Sequence, residues 1–341
     1  MKEKDIVELR SRLLDWFSQS KRDLPWRRTK DAYRIWISEI MLQQTRVAAV
    51  IPYYERFLAR FPNVEALAGA PESDLLAHWA GLGYYSRARN LQKAAQSIAA
   101  AGGFPDTHDA LRELAGVGDY TAAAVASIAF DLPHAVLDGN VFRVLSRLFN
   151  DRTDIRSPKA RAHFGSLAGG LLDQQRPGDF NQALMELGAT VCLPKAPQCL
   201  LCPISAMCQA RAAQTQMDLP VRMAAQKGAP EQRVVYWIER EGELLLWQRP
   251  ADARLMAGFW ELPEREQLPL LETGEVAGAF RHGITVHDYR FTIMRCKPPD
   301  DIAMCQWVSL AELNGLPIST ILRKAWTIVN DAILVNNFSL A

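Results

Sequence analysis

Leu114-Ala115-Gly116-Val117-Gly118-Asp119-Tyr120-Thr121-Ala122-Ala123 joins two apolar stripes of helical period. The stretch predicts one helix ending near Ala115 and another starting near Tyr120, with a tight Gly-x-Gly turn between them. Neither Gly116 nor Gly118 has a Cβ. Backbone amides there, with the N-terminus of the second helix, can therefore approach a phosphate closely. An ordinary helix–helix turn has the same signature, and so short a motif does not separate the two readings.

The surrounding chain is helical in period. Apolar residues recur at helical spacing from Ile6 to about Met207, and Pro25, Pro62, Pro71, Pro105, Pro133 and Pro158 punctuate the runs. A chain of 341 residues exceeds what one core usually serves, so two domains are expected. The pattern gives a helical region over residues 1–215, a Gln-, Ala- and Lys-rich linker over 216–230, and an α+β domain over 231–341. In the last of these, strands are expected at 234–238 and 244–247 around the turn Glu241-Gly242-Glu243, and at 289–294, with a helix over 318–333.

No apolar run approaches the roughly 20 residues of a membrane span. The start, Met1-Lys2-Glu3-Lys4-Asp5, lacks the apolar core of a secretion signal, which implies a reducing, cytoplasmic setting. Net charge is +1, yet residues 1–230 carry +5 and residues 231–341 carry −4. The basic bias at the front is compatible with a phosphate-rich partner and equally with a solvated face.

Four of the six cysteines, Cys192, Cys199, Cys202 and Cys208, form the series C-x6-C-x2-C-x5-C. A quartet this tight is a ligand set for tetrahedral zinc or an iron–sulfur cluster. It has one C-x2-C knuckle where zinc ribbons use two. Cys296 and Cys305 are isolated and read as buried free thiols.

Two carboxylates stand out. Glu39 is the only charge between Arg34 and Arg46, with apolar neighbours around most of its helix. It is either paired with an arginine in the core or set in a pocket, where desolvation would keep it protonated and fit for general-acid work. Asp138, in Leu137-Asp138-Gly139-Asn140-Val141, reads as a helix N-cap, and also as a carboxylate kept ionised by a helix N-terminus.

Taken in order, the Gly-x-Gly turn, Asp138 and the cysteine loop resemble the helix–hairpin–helix DNA glycosylases that carry a [4Fe–4S] cluster. The segments Leu24-Pro25-Trp26-Arg27, Gly81-Leu82-Gly83-Tyr84-Tyr85-Ser86-Arg87 and Met185-Glu186-Leu187-Gly188-Ala189 narrow the likeness to the MutY-type adenine glycosylase family. That resemblance covers nearly the whole chain. It implies an all-α helix–hairpin–helix region with a [4Fe–4S] loop, then a smaller α+β Nudix-like domain. It also implies a monomer at the bacterial nucleoid that excises adenine paired with 8-oxoguanine or guanine in double-stranded DNA.

By the same resemblance, Glu39 would protonate adenine N7 and Asp138 would stabilise or trap the sugar cation. Asn140 would orient the pocket beside Asp138. Trp26, Arg27, Leu42 and Val47 would line it, and Glu186 would meet the flipped base or its water. Gln44 and Tyr84 would fill the gap left by the base. Gly116 and Gly118 would meet the DNA backbone, and Cys192, Cys199, Cys202 and Cys208 would hold the cluster. Endonuclease III relatives carry at position 120 a lysine that forms a Schiff base. The phenol of Tyr120 cannot, so hydrolysis without strand cleavage is implied.

The C-terminal stretch 255–263 is also similar to the family's. Gly258 and Glu264 match the start of a Nudix box, but the run 272–276 lacks its magnesium-holding core, so recognition rather than pyrophosphate hydrolysis is implied. The family's Phe-Ser-His sensor of 8-oxoguanine is here Phe280-Arg281-His282, with a long cation for a small hydroxyl. The competing readings are a thymine or oxidised-pyrimidine glycosylase, a silent DNA-binding protein, and a Nudix hydrolase fused to a helical module.

Overall fold

The helical period before residue 207 becomes helices in the computed structural model, which describes residues 2–223, 230–250, 253, 256–269, 271, 274–284, 287–299, 301–302 and 304–337. The chain divides into two units after Met223. In the first, the α-helices are α1 (Glu3–Ser20), α2 (Ala32–Leu42), α3 (Val47–Arg60), α4 (Val64–Ala68), α5 (Glu72–Trp79) and α6 (Tyr85–Ala101). They continue as α7 (His108–Arg112), α8 (Asp119–Ala129), α9 (Gly139–Leu148), α10 (Ala160–Leu171), α11 (Pro177–Thr190) and α12 (Gln209–Ala212).

Helix α2 runs through the middle. Tyr33, Ile35, Trp36, Ile37, Ser38, Glu39, Ile40 and Met41 are all buried, as expected of a helix apolar on nearly every side. Each large side chain buried there contributes ~1.5–3 kcal/mol. Asp31 caps the helix, its Oδ1 accepting from the Arg34 N–H at 2.9 Å. Helix α8 packs beside α2, and its Ala122, Ala123, Ala124 and Ala126 are buried small residues. Helix α11 leans on α1, α8 and α9. Its Gly188 lies so near α9 that a Cβ would sit 2.5 Å from Asn140 Cβ.

The hairpin differs in its limits from the sequence expectation. Helix α7 stops at Arg112 rather than near Ala115, and α8 begins at Asp119. The turn is longer because Gly116 adopts φ +76° and packs against Asn90, 2.8 Å from where a Cβ would be. The expected linker also starts too early. Leu219 is buried, its carbonyl accepts from Arg147 Nε at 3.1 Å, and the Ile155 N–H donates to the Val221 carbonyl at 3.1 Å. The first unit therefore runs past residue 215, while 224–229 of the expected linker lie outside the described residues.

The second unit mixes two sheets with one long helix among its described residues. Strands β1 (Glu231–Trp237), β2 (Glu239–Arg240), β3 (Glu243–Gln248), β4 (Trp260–Glu261), β5 (Glu275–Ile284), β6 (His287–Arg295) and β7 (Cys305–Ser309) precede α13 (Thr320–Asn337). One sheet has the order β1-β6-β5, and the other is centred on β3, flanked by β2, β4 and β7. Glu241 and Gly242 turn the chain with φ of +47° and +79°, as a tight hairpin requires. The hairpin pairs only β2 with β3, because β1 pairs instead in parallel with β6. Cys305 is buried and Cys296 half-buried, both free. Leu255 and the box residues Glu272 and Thr273 lie outside the described residues. Among those described, no helix is long and apolar enough to cross a membrane.

Candidate active site

A cavity of about 530 Å³ opens in the first unit beside α2, α8, α9 and α11. Glu39, Tyr120, Asp138, Asn140, Trp26, Arg27, Leu42, Gln44, Val47 and Glu186 all line it. These positions lie up to 160 residues apart in sequence, and the helix packing brings them together.

Glu39 is buried, and its Oε2 has no hydrogen-bond partner. Burial pushes its carboxyl from 4.5 up to about 7, Asp138 adds to the rise, and Tyr120 and Arg27 pull the other way. The pocket reading of Glu39 is therefore the one realised, since Arg27 is committed elsewhere. The Tyr120 hydroxyl donates to Met185 Sδ at 3.2 Å, and burial beside two carboxyls raises its own pKa. It stays a neutral phenol.

Asp138 caps α9. Its Oδ1 accepts from the Val141 N–H at 2.7 Å and its Oδ2 from Asn140 Nδ2 at 2.9 Å. Burial nevertheless raises its pKa above the ordinary value, against the pull of Val141, Asn140 and Arg143. The cap expected from the sequence is present, and desolvation opposes it. The two acids still differ in kind. Donors hold both oxygens of Asp138, and one oxygen of Glu39 has none.

Glu186 lies across the cavity. Its Oε1 accepts from the Arg22 backbone N–H at 3.1 Å and from Arg22 Nε at 2.8 Å, and its Oε2 accepts from Arg22 Nη2 and Arg27 Nη2, both at 2.8 Å. Burial would push the carboxyl up, but the two arginines outweigh it and hold Glu186 at about 2. Trp26 is buried edge-on to Tyr54 at 5.3 Å. Arg22, Gln182 and Met185 were missed as cavity residues in the sequence. Arg22 lies two residues before Leu24-Pro25-Trp26-Arg27, and nothing local distinguishes it from the neighbouring basic residues.

A chain of buried contacts leads away from Asp138. Arg143 Nη2 donates to Asn140 Oδ1 at 2.8 Å and to the Gly188 carbonyl at 2.6 Å, and its Nε to the Cys192 carbonyl at 2.7 Å. One turn on, Arg147 Nη1 donates to the Leu193 carbonyl at 2.7 Å and to Cys192 Sγ at 3.3 Å. Both arginines are buried. Their role was not read from the sequence, where they look like the polar face of a helix.

The cysteine loop fits a metal cluster in donor set. Cys192, Cys199, Cys202 and Cys208 are half-buried free thiols. Burial pushes the Cys202 thiol up to about 12, and Cys192, Cys208 and Cys199 add to the rise, so the four sulfurs share one neighbourhood. Among the described residues no three Cys, His, Asp or Glu converge closely enough to hold a single ion. Four thiols in one neighbourhood are a donor set that either tetrahedral zinc or an iron–sulfur cluster can use.

The remaining candidates, apart from Gln44, lie outside the cavity wall. Tyr84 is exposed just ahead of α6 with φ +50°, and Gln44, on the cavity rim, has φ +57°. Such left-handed backbone is uncommon for residues other than glycine. Gly118 ends the hairpin at the N-terminus of α8, where no side chain caps the helix and no atom lies within 4 Å of a built Cβ. In the second unit Phe280, Arg281 and His282 lie on β5. The ring of Phe280 stacks on Phe291 at 5.3 Å, whereas Arg281 is exposed with Nη2 3.8 Å from Asp288.

The family model for HhH-GPD superfamily base excision DNA repair proteins matches residues 37–168. The adenine DNA glycosylase of Mus musculus is 35% identical, covering 96% of this chain and 79% of its own. That of Homo sapiens is 34% identical, over 95% and 74% respectively. The solved structure of a thermostable thymine-DNA glycosylase is 30% identical with a TM-score of 0.57, covering 62% of this chain and 98% of that one. With whole-chain likeness of this extent and Glu39 and Asp138 together on one cavity wall, the chain belongs to the MutY-type adenine DNA glycosylases, DNA N-glycosylases of base excision repair.

Proposed function

We propose that the protein extrudes adenine paired with 8-oxoguanine or guanine and hydrolyses its N-glycosidic bond without cutting the strand. The observation that carries this is the pair of unlike carboxyls in one cavity, Glu39 near neutrality with a bare oxygen and Asp138 fixed by donors. Extrusion costs a few kcal/mol, least at a mispair, and Gln44 and Tyr84 fill the gap. Glu39 gives its proton to N7. The C1′–N9 bonding pair then leaves with a neutral base, and the cation left on the sugar is held, or trapped as an ester, by the Asp138 carboxylate. Water adds at C1′ and returns a proton to the carboxylates. Arg22 and Arg27, locked by Glu186, present donors to the base edge, and Trp26, Leu42 and Val47 exclude water.

Cys192, Cys199, Cys202 and Cys208 would hold a [4Fe–4S] cluster. When bound, it cross-links their loop and supplies no electron to the hydrolysis. The ordered loop then offers Lys195 to the DNA backbone, as Gly118 offers the amides of α8. In the second unit, read as a Nudix-like recognition domain, Arg281 contacts the lesion or its phosphate. Glu264 is paired with Arg233 at 2.7 Å and Glu261 with Arg249 at 2.9 Å, so cations of the chain already neutralise the carboxylates around the broken box.

Incubation with duplexes carrying adenine opposite 8-oxoguanine, adenine opposite guanine, and thymine glycol tests this. Free adenine from the first two, with an abasic but uncut strand, is expected. Release of a pyrimidine instead, or of no base, would overturn it.

A further inference from the structure

Arg87, in the first turn of α6, sits between the two segments that carry Gln44 and Tyr84. Its Nη1 donates to the carbonyls of Ile40 at 2.9 Å, Met41 at 3.1 Å and Gln43 at 2.6 Å. Its Nη2 donates to the carbonyls of Leu82 at 3.1 Å and Gly83 at 3.2 Å, and to Thr45 Oγ1 at 3.4 Å. The last carbonyls of a helix have no partner within it, and Arg87 satisfies those at the end of α2. Its charge also suits the negative end of the helix dipole. The guanidinium lies 5.5 Å from the ring centroids of both Trp79 and Tyr84, and Trp79 Nε1 donates to the Gly83 carbonyl at 3.1 Å.

Each segment held this way carries a non-glycine residue in left-handed backbone, Gln44 at φ +57° and Tyr84 at φ +50°. Each such residue costs of order 1 kcal/mol and persists only where its surroundings over-determine it. Arg87 is the shared element of those surroundings, and it is not among the residues lining the catalytic cavity.

We infer that Arg87 is a positioning residue that fixes Gln44 and Tyr84 relative to each other, so that both enter the duplex as one wedge when adenine is extruded. The inference rests on the reading of those two residues as the wedge. A lysine would keep the charge but, as a point charge with three donors, cannot span acceptors on two segments.

The test uses the full chain with Asp138→Asn to block excision, and a duplex with adenine opposite guanine and 2-aminopurine beside it. Fluorescence rises as the neighbour unstacks. Adding Arg87→Lys or Arg87→Gln is expected to lower the extrusion equilibrium about tenfold, the scale of one lost charged hydrogen bond. With Asp138 intact, the same variants slow single-turnover release about as much while the pH midpoint set by Glu39 stays in place. Whichever variant keeps a cooperative melt is scored. An undiminished fluorescence rise overturns the inference, and so does a displaced pH midpoint, which would mean that Arg87 acts through Glu39. Gln44→Ala and Tyr84→Ala separate the two claims. If neither lowers the rise, the wedge reading itself fails. If they lower it and the Arg87 variants do not, only the role of Arg87 fails.

Discussion

Glu39 and Asp138 are both carboxylic acids within one cavity, and their partners set them apart. From 4.5 to about 7, folded Glu39 keeps a proton that the unfolded chain releases. Its contribution is therefore fully present below 4.5 and lost as pH rises through 7. Glu39→Gln removes the buried charge. It should stabilise the protein at about pH 8 by up to about 3 kcal/mol, leave it unchanged near pH 4, and abolish excision. Unfolding measured at the two pH values checks this, and equal stability at both contradicts it. In the proposed mechanism the acid form is the catalyst, so the single-turnover rate should also fall about tenfold per unit above pH 7. The sequence isolated Glu39 as a lone charge but could not choose between pocket and ion pair. That choice depended on Arg27, which pairs with Glu186, 159 residues away, and leaves Glu39 Oε2 without a partner.

Helix α9 does more than its stretch of sequence announced. Its cap is Asp138, its first turn holds Asn140, and Arg143 and Arg147 carry the contact on to the cysteine loop. Helix α11 must lie close for Arg143 to reach the Gly188 carbonyl. Gly188→Ala would press a methyl to 2.5 Å from Asn140 Cβ. A loss of about 1–3 kcal/mol in stability is expected, with a larger proportional loss of excision than of duplex binding. Melting curves and single-turnover rates check it, and equal losses of binding and excision would place the damage elsewhere. The periodicity revealed the helices, since α2 and α8 are apolar almost all round, and it revealed Asp138 as a cap. The limits of α7 and the partner of β1 escaped it. The first depended on Gly116 meeting Asn90, the second on a pairing with β6 more than 50 residues downstream, and neither contact has a local signature.

The two units divide the problem. The first contains the cavity with Glu39 and Asp138, and the second carries the stretch around Arg281, for which we propose a role in recognition. The cysteine spacing pointed to a superfamily, and the two carboxyls with Tyr120 pointed to the reaction. Absorption of the intact protein is expected to show a broad iron–sulfur band near roughly 400 nm, lost with Cys202→Ser, whereas a colourless metalloprotein would mean zinc. The reaction is tested most directly by Asp138→Asn, because asparagine caps a helix as well as aspartate does, keeping an acceptor for the Val141 N–H and losing only the one for Asn140 Nδ2. Full-length protein and this variant are mixed in excess with a duplex carrying adenine opposite 8-oxoguanine, and free adenine is measured. Rapid release by the unaltered chain, and none by a variant that still binds the duplex, is the predicted result. Adenine released by the variant at the unaltered rate would contradict it.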